Sequence, residues 1–224
     1  IAVGTTPSVL STIDEAPDIP PIEFPGMFAM PGFVDSHTHL VFGGSREHDF
    51  AMKLAGKSYI EILESGGGIL NTLRATRSAT LAELRSNALS YAEGMLSRGT
   101  TSIEAKSGYG LDTANELKML RAADSLSEMV PTEIASTFLG AHAIPPEYKG
   151  RTDDYVDLVV NEMIPAVAEE GLAEFCDVFC EKGVFDIEQS RTILLAAREA
   201  GQKLKVHADE IVQLGGAGLA AELG

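Results

Sequence analysis

The sequence predicts an α/β fold, a (β/α)8 barrel of the TIM type, here a partial barrel of about five to six βα units. Three observations predict it. From residue 31 onward, short apolar β-prone runs alternate with segments of helical period, which calls for parallel strands joined by helical crossovers. Polar residues with chemical potential then fall at or just past the carboxyl ends of those runs: His37 and His39, Glu104 and Lys106, His142, Glu181, and His207. An open doubly wound sheet would satisfy the alternation alone, but this clustering at strand ends is the pattern of a barrel's catalytic face. Finally, 224 residues of which 45% are hydrophobic suffice for one sizeable core.

Residues 1–30 stand apart. They are rich in Pro, Thr, Ser and Asp, lack helical period, and read as an N-terminal segment of a small β domain, incomplete here. The barrel is assigned to residues 31–224. Its first strand is expected at 33–39, after Pro31-Gly32, as a buried strand; further strands are expected at 100–106, 132–139, 174–181 and 203–208. Thr80-Leu81-Ala82-Glu83 reads as a capping box that opens a helix with the stripe Leu81, Leu84, Ala88, Tyr91 and Met95, closed by Gly99. Thr113-Ala114-Asn115-Glu116 reads as a second box, for a helix running to about Met129. Val156, Val159, Val160, Met163 and Val167 keep helical spacing, with a kink expected at Pro165. Asp186-Ile187-Glu188-Gln189 starts a helix that ends at Gly201, and Gly216 to Leu223 forms another. The chain then stops where a sixth strand should begin, so it reads as a fragment truncated at the C-terminus.

Charge excludes some functions. A net charge of −16 repels nucleic acid and anionic lipid, so an anionic ligand must meet a local cation. No apolar run reaches spanning length and no basic leader precedes one, so the cytoplasm is the expected location. Cys176 and Cys180 lie four apart in one expected strand, too far for a disulfide, and read as reduced core thiols.

His37 and His39 point to the same side of a strand, as a bidentate metal clamp requires. His207, at the end of a later strand, supplies a third imidazole, and three protein ligands plus water make a usual catalytic zinc site. A metal there would bring its water's pKa toward neutrality. Glu210, three residues on, can take a proton or hold a substrate N–H; Asp209 reads as a solvated loop acid. Arg46, in the loop after the first strand, suits a substrate carboxylate. Tyr59 and Tyr109 can each donate to a substrate oxygen, and His142 can be a fourth ligand, a substrate contact or structural. His48 reads as surface. The run Gly66-Gly67-Gly68 lacks a Walker lysine and reads as a mobile segment beside the site.

The stretch Pro31-Gly32-Phe33-Val34-Asp35-Ser36-His37-Thr38-His39 resembles the first-strand signature of the amidohydrolase superfamily. Residues 37–46, Ser58-Tyr59, Gly66 to Ile69 with Ala75-Thr76-Arg77, Glu104 to Leu111, and Phe138 to His142 together resemble the imidazolonepropionase family, a likeness covering about residues 28–224. It implies hydrolysis of the ring amide of 4-imidazolone-5-propanoate to N-formimidoyl-L-glutamate in histidine degradation. It also implies one metal ion, zinc or iron, held by His37, His39 and His207. Arg46, Tyr59, Tyr109 and His142 would contact an anionic small-molecule substrate, with Glu210 beside the ring and the attacking water. A homodimer is a family-level expectation. The family's fourth ligand, an aspartate, and a further sixth-strand histidine would lie beyond Gly224, so these residues alone are expected to hydrolyse nothing. Two rivals remain: a binuclear or deaminase-type relative of the dihydropyrimidinase, dihydroorotase or guanine deaminase kind, for which Lys182 would be a bridging residue, and a non-catalytic relative.

Overall fold

The computed structural model describes residues 3–12, 20, 22–58, 61 and 67–224. The chain divides into two units, Ile1–Pro31 and Gly32–Gly224. In the described residues of the first unit the regular element is a short helix, α1 (Thr6–Leu10), with Pro7 in its first turn, where the missing N–H has no intrahelical partner to lose.

The second unit is a curled parallel sheet with helical crossovers. β1 (Phe33–Thr38), β2 (Thr100–Lys106), β3 (Glu133–Ala141), β4 (Phe175–Cys180) and β5 (Lys203–Leu204) follow one another in that order across the sheet. β6 (His207–Ala208) extends the last position by pairing with β4 at Phe179 and Cys180. Every pairing is parallel. This is the partial barrel the sequence predicts, with one correction at each end. The run expected as one strand over 203–208 is interrupted at 205–206. β1 is no buried strand: Phe33 and Val34 are 57% and 69% exposed, because β1 stands at the edge of the sheet and only β2 flanks it among the described residues.

Helices α2 (Glu47–Leu54), α3 (Ile69–Ser78) and α4 (Leu81–Leu96) lie between β1 and β2. The Thr80 capping box forms as read, with Thr80 Oγ1 accepting from Glu83 N at 3.2 Å and Glu83 Oε2 accepting from Thr80 N at 2.8 Å. The buried face of α4 is Leu84, Ala88 and Ala92, spaced four apart, whereas Leu81 and Tyr91 face solvent. α2 and α3 escape the sequence reading, since their short polar-rich stretches carry little apolar period. Gly43 lets the chain pass beside α3: a Cβ there would sit 2.6 Å from Ala75 O. Gly67 and Gly68 are buried, and Gly68 N donates to Asp49 Oδ2 at 2.7 Å, so these two are anchored where a mobile run was expected. Gly66 lies outside the described residues.

α5 (Thr113–Asp124) runs on into a 3-10 turn, Ser125–Glu128. Its cap is not the expected box: Asp112 accepts from Asn115 N at 2.8 Å, and Glu116 turns away to other partners. Between β3 and β4 come α6 (Thr152–Leu158), a π-helical turn (Val159–Met163) and α7 (Ile164–Glu170). Pro165 falls in the first turn of α7, so the expected kink becomes a π-turn that absorbs the lost hydrogen bond. α8 (Ile187–Glu199) starts at Asp186 as read, with Asp186 and Gln189 forming a capping box, and α9 (Gly216–Leu223) is the last element.

Two apolar clusters lie between sheet and helices. One gathers Phe138, Tyr155, Met163, Phe185 and Ile193; the other gathers Leu84, Ala88, Ile103, Met119 and Leu126. Tyr155 is fully buried and keeps its hydroxyl satisfied by donating to Gly140 O at 2.7 Å. Cys176 and Cys180 are free and buried, as expected.

Candidate metal and substrate site

The carboxyl ends of the strands open into a cavity of about 650 Å³. Its walls include His37, His39, Arg46, Tyr109, His142, His207 and Glu210. These are seven of the eight residues singled out in sequence; the eighth, Tyr59, lies outside the described residues. The spread in sequence, from 37 to 210, collapses because each residue ends or follows a strand of one parallel sheet.

His37, at the end of β1, and His39 just beyond it bring their rings to 5.5 Å between centroids, and His207 comes within 4.5 Å of His37 and 5.5 Å of His39. One nitrogen of each lies within 4.8 Å of the others. Among the described residues His39 Nδ1 and both ring nitrogens of His207 are buried without an aligned hydrogen-bond partner. Unpartnered buried polar atoms are costly, so a cation at their meeting point would remove a real penalty. The donor set of three imidazoles therefore fits a metal ion. Burial first, then the neighbouring imidazoles, pushes the His39 pKa down to about 3, and burial followed by His207 and Lys106 lowers that of His37. Both rings are thereby kept in the neutral form that coordination needs.

His142 is outside this triad. Its ring stacks on His39, with centroids 4.8 Å apart and planes 10° from parallel, and its Nδ1 faces Gly108 O at 2.9 Å. A carbonyl can only accept, which fixes the proton on Nδ1 and leaves Nε2 as an acceptor. Burial pushes its pKa down to about 4. Tyr109 packs 5.3 Å from His142, and burial raises its phenol's pKa, so the hydroxyl remains a donor.

The loop bearing Tyr109 is held from inside. Glu116, fully buried, accepts from Gly108 N at 3.0 Å, Gly110 N at 2.8 Å and Leu111 N at 2.8 Å. Burial pushes its carboxyl up in pKa, opposed by the Ser107 hydroxyl and these three amides. Gly108 adopts φ +107°, and a Cβ there would lie 2.9 Å from both His142 Nδ1 and Leu139 O, so only glycine lets the two segments meet. The loop bearing Glu210 is held in the same manner. Glu181 accepts from Ile211 N at 2.9 Å, and Asp209, at φ +56°, accepts from Leu214 N at 2.9 Å and Gly215 N at 3.1 Å. Asp209 is thus no mere solvated acid. Arg46 also lines the cavity, with Nε donating to Thr72 Oγ1 at 2.9 Å. His48 and Lys182 are exposed and outside the cavity wall.

Beneath the triad lies a charge network that sequence reasoning registered only as Glu104 and Lys106 at a strand end. Lys106 Nζ is 2.7 Å from Glu104 Oε1 and 2.7 Å from Asp177 Oδ2, all three side chains at most 3% exposed. Thr137 and Lys205 also donate to Glu104. Asp177 reads in sequence as one acid in an apolar strand; its partners, Lys106 on β2 and His207 on β6, come from two other strands, and no local spacing announces them.

A parallel half-barrel with three imidazoles at its carboxyl face defines a partial (β/α)8 barrel with a candidate metal-binding face. A solved structure supports the fold: a 5-methylcytosine deaminase from Klebsiella pneumoniae superposes with a TM-score of 0.60 at 17% identity, over 93% of this chain and 48% of that one. No family model matches the chain. Among curated proteins, the imidazolonepropionase of Alkaliphilus metalliredigens is 57% identical over 203 residues, 91% of this chain and 48% of that protein. That of Clostridium tetani is 56% identical over 195 residues, 87% and 46% respectively. That of Streptococcus gordonii is 51% identical over all 224 residues and 53% of its own length. By sequence the chain is homologous to these imidazolonepropionases, and it spans about half their length.

Proposed function

We propose that this chain forms the metal-binding half of a hydrolase that opens the ring amide of 4-imidazolone-5-propanoate to N-formimidoyl-L-glutamate. The observation that carries the reading is the meeting of three ligand-competent imidazoles and one arginine on a single cavity, in a chain more than half identical to imidazolonepropionases. His37, His39 and His207 hold one ion, zinc or iron, since nitrogen donors accept both. When bound, such an ion supplies a Lewis acid and an activated water.

The chain's own groups do the rest. Arg46 is the cation on the rim of an otherwise acidic protein; its planar guanidinium grips the propionate with two hydrogen bonds and sets the ring's orientation. Tyr109 and Tyr59 donate to substrate oxygen. His142, neutral and protonated on Nδ1, accepts a ring N–H at Nε2. Glu210, exposed at the cavity edge, moves the proton between water and ring nitrogen. Residues 1–30 contribute to a small β domain, and the enzyme works in the cytoplasm as a homodimer.

The test is turnover of imidazolonepropanoate by the purified complete protein, followed at the ring's ultraviolet absorbance, together with metal content per subunit. One ion per subunit and chelator-sensitive hydrolysis are expected. Two tightly bound ions would favour a binuclear relative, although Lys182 is exposed and away from the cavity wall. No bound metal and no turnover would favour a non-catalytic relative and sink the proposal.

A further inference from the structure

We propose that Asp177 is the positioning residue of the histidine triad, holding His207 so that Nε2 is the nitrogen offered to the metal, with Lys106 holding Asp177 in turn. The inference rests on the reading that the triad binds a metal ion. His207 sits on a strand of two residues, whose short ladder with β4 gives it little backbone constraint. Asp177 supplies what the ladder lacks. Its Oδ1 accepts from His207 N at 3.0 Å, and its Oδ2 lies 2.7 Å from His207 Nδ1. One carboxylate thus grips the backbone and the ring of the same residue. The Nδ1 approach is a close contact and not an aligned hydrogen bond, since neither ring nitrogen has an aligned partner among the described residues. A carboxylate accepts only, so a small rotation of the ring completes the bond with the proton on Nδ1 and leaves Nε2, across the ring, as the buried lone pair.

Asp177 is 1% exposed, and a lone buried carboxylate would neutralise rather than hold this proton. Lys106 prevents that: its ammonium lies 2.7 Å from Asp177 Oδ2 and is anchored on its other side by Glu104. A histidine locked by a carboxylate on one nitrogen is a better-aimed and more basic ligand on the other, and loss of such a partner characteristically costs about 10–100-fold in metal affinity.

Two measurements on the complete protein test this. The first is zinc affinity, read by competition with a chromophoric chelator, in wild type and Asp177→Asn. An isosteric amide keeps the packing but must turn an N–H toward His207 or Lys106, and a 10–100-fold weaker affinity is expected. A folded variant with wild-type affinity overturns the inference. The second needs no variant: nitrogen-15 histidine spectra of the metal-free wild type should show His207 protonated on Nδ1, and protonation on Nε2 overturns it. Should the wild type bind no zinc at all, the triad reading itself fails, and the inference falls with it.

Discussion

Replacing Glu116 by alanine should remove the inner support of the loop that carries Tyr109. In the wild type three backbone amides, Gly108, Gly110 and Leu111, donate to its buried carboxylate. Each buried donor left unpaired costs about 1–3 kcal/mol. The carboxylate's own burial is unfavourable, as the direction of its pKa indicates, and its removal returns part of that sum. A net loss of about 2–5 kcal/mol remains. At about 2–4 °C per kcal/mol for a domain of this size, the midpoint of thermal unfolding should fall by about 4–20 °C. Glutamine should rescue only in part, because its carboxamide turns an N–H toward one of the amides. Denaturant unfolding of wild type, Glu116→Ala and Glu116→Gln measures all three. A Glu116→Ala protein within about 1 kcal/mol of wild type would refute the claim that this carboxylate shapes the loop, since even one orphaned amide reaches that figure.

Lys118→Met should cost about 1–3 kcal/mol in denaturant unfolding, because Nζ donates to Thr76 O, Arg77 O and Ala79 O at and just past the end of α3. An unshifted midpoint would show that water replaces it without loss. Arg46→Ala should lower kcat/KM for the propionate substrate at the low end of what lost charge pairs cost, about 2 kcal/mol or roughly 30-fold, because the side chain is 42% exposed and partly screened. Steady-state kinetics would remove Arg46 from the site if kcat/KM were unchanged.

Much of this architecture is written in local pattern. β2 was expected at 100–106 and forms over Thr100–Lys106. The boxes at Thr80 and Asp186 form because a cap and its N3 partner are neighbours in the chain and need no tertiary context. The Thr113 box fails for the complementary reason: Glu116 has the right spacing, but the loop at 108–111 outbids the helix terminus by offering three amides. Similarly, the stripe on α4 follows tertiary contact rather than hydropathy, leaving Tyr91 outside and Ala92 within. The meeting of His37, His39 and His207 was legible because strand ends in a parallel sheet share a face. Asp177 was not, for its meaning lies in Lys106 on β2 and His207 on β6, 71 and 30 residues away in the chain.

The Glu210 loop is shaped by carboxylates gripping its main chain, with Ile211 and Val212 turned outward. Its form is therefore indifferent to which side chains it displays. Substitutions at 211–213 can rewrite what the rim recognises while the scaffold beneath stays put, so ligand preference is free to drift in evolution at little risk to folding.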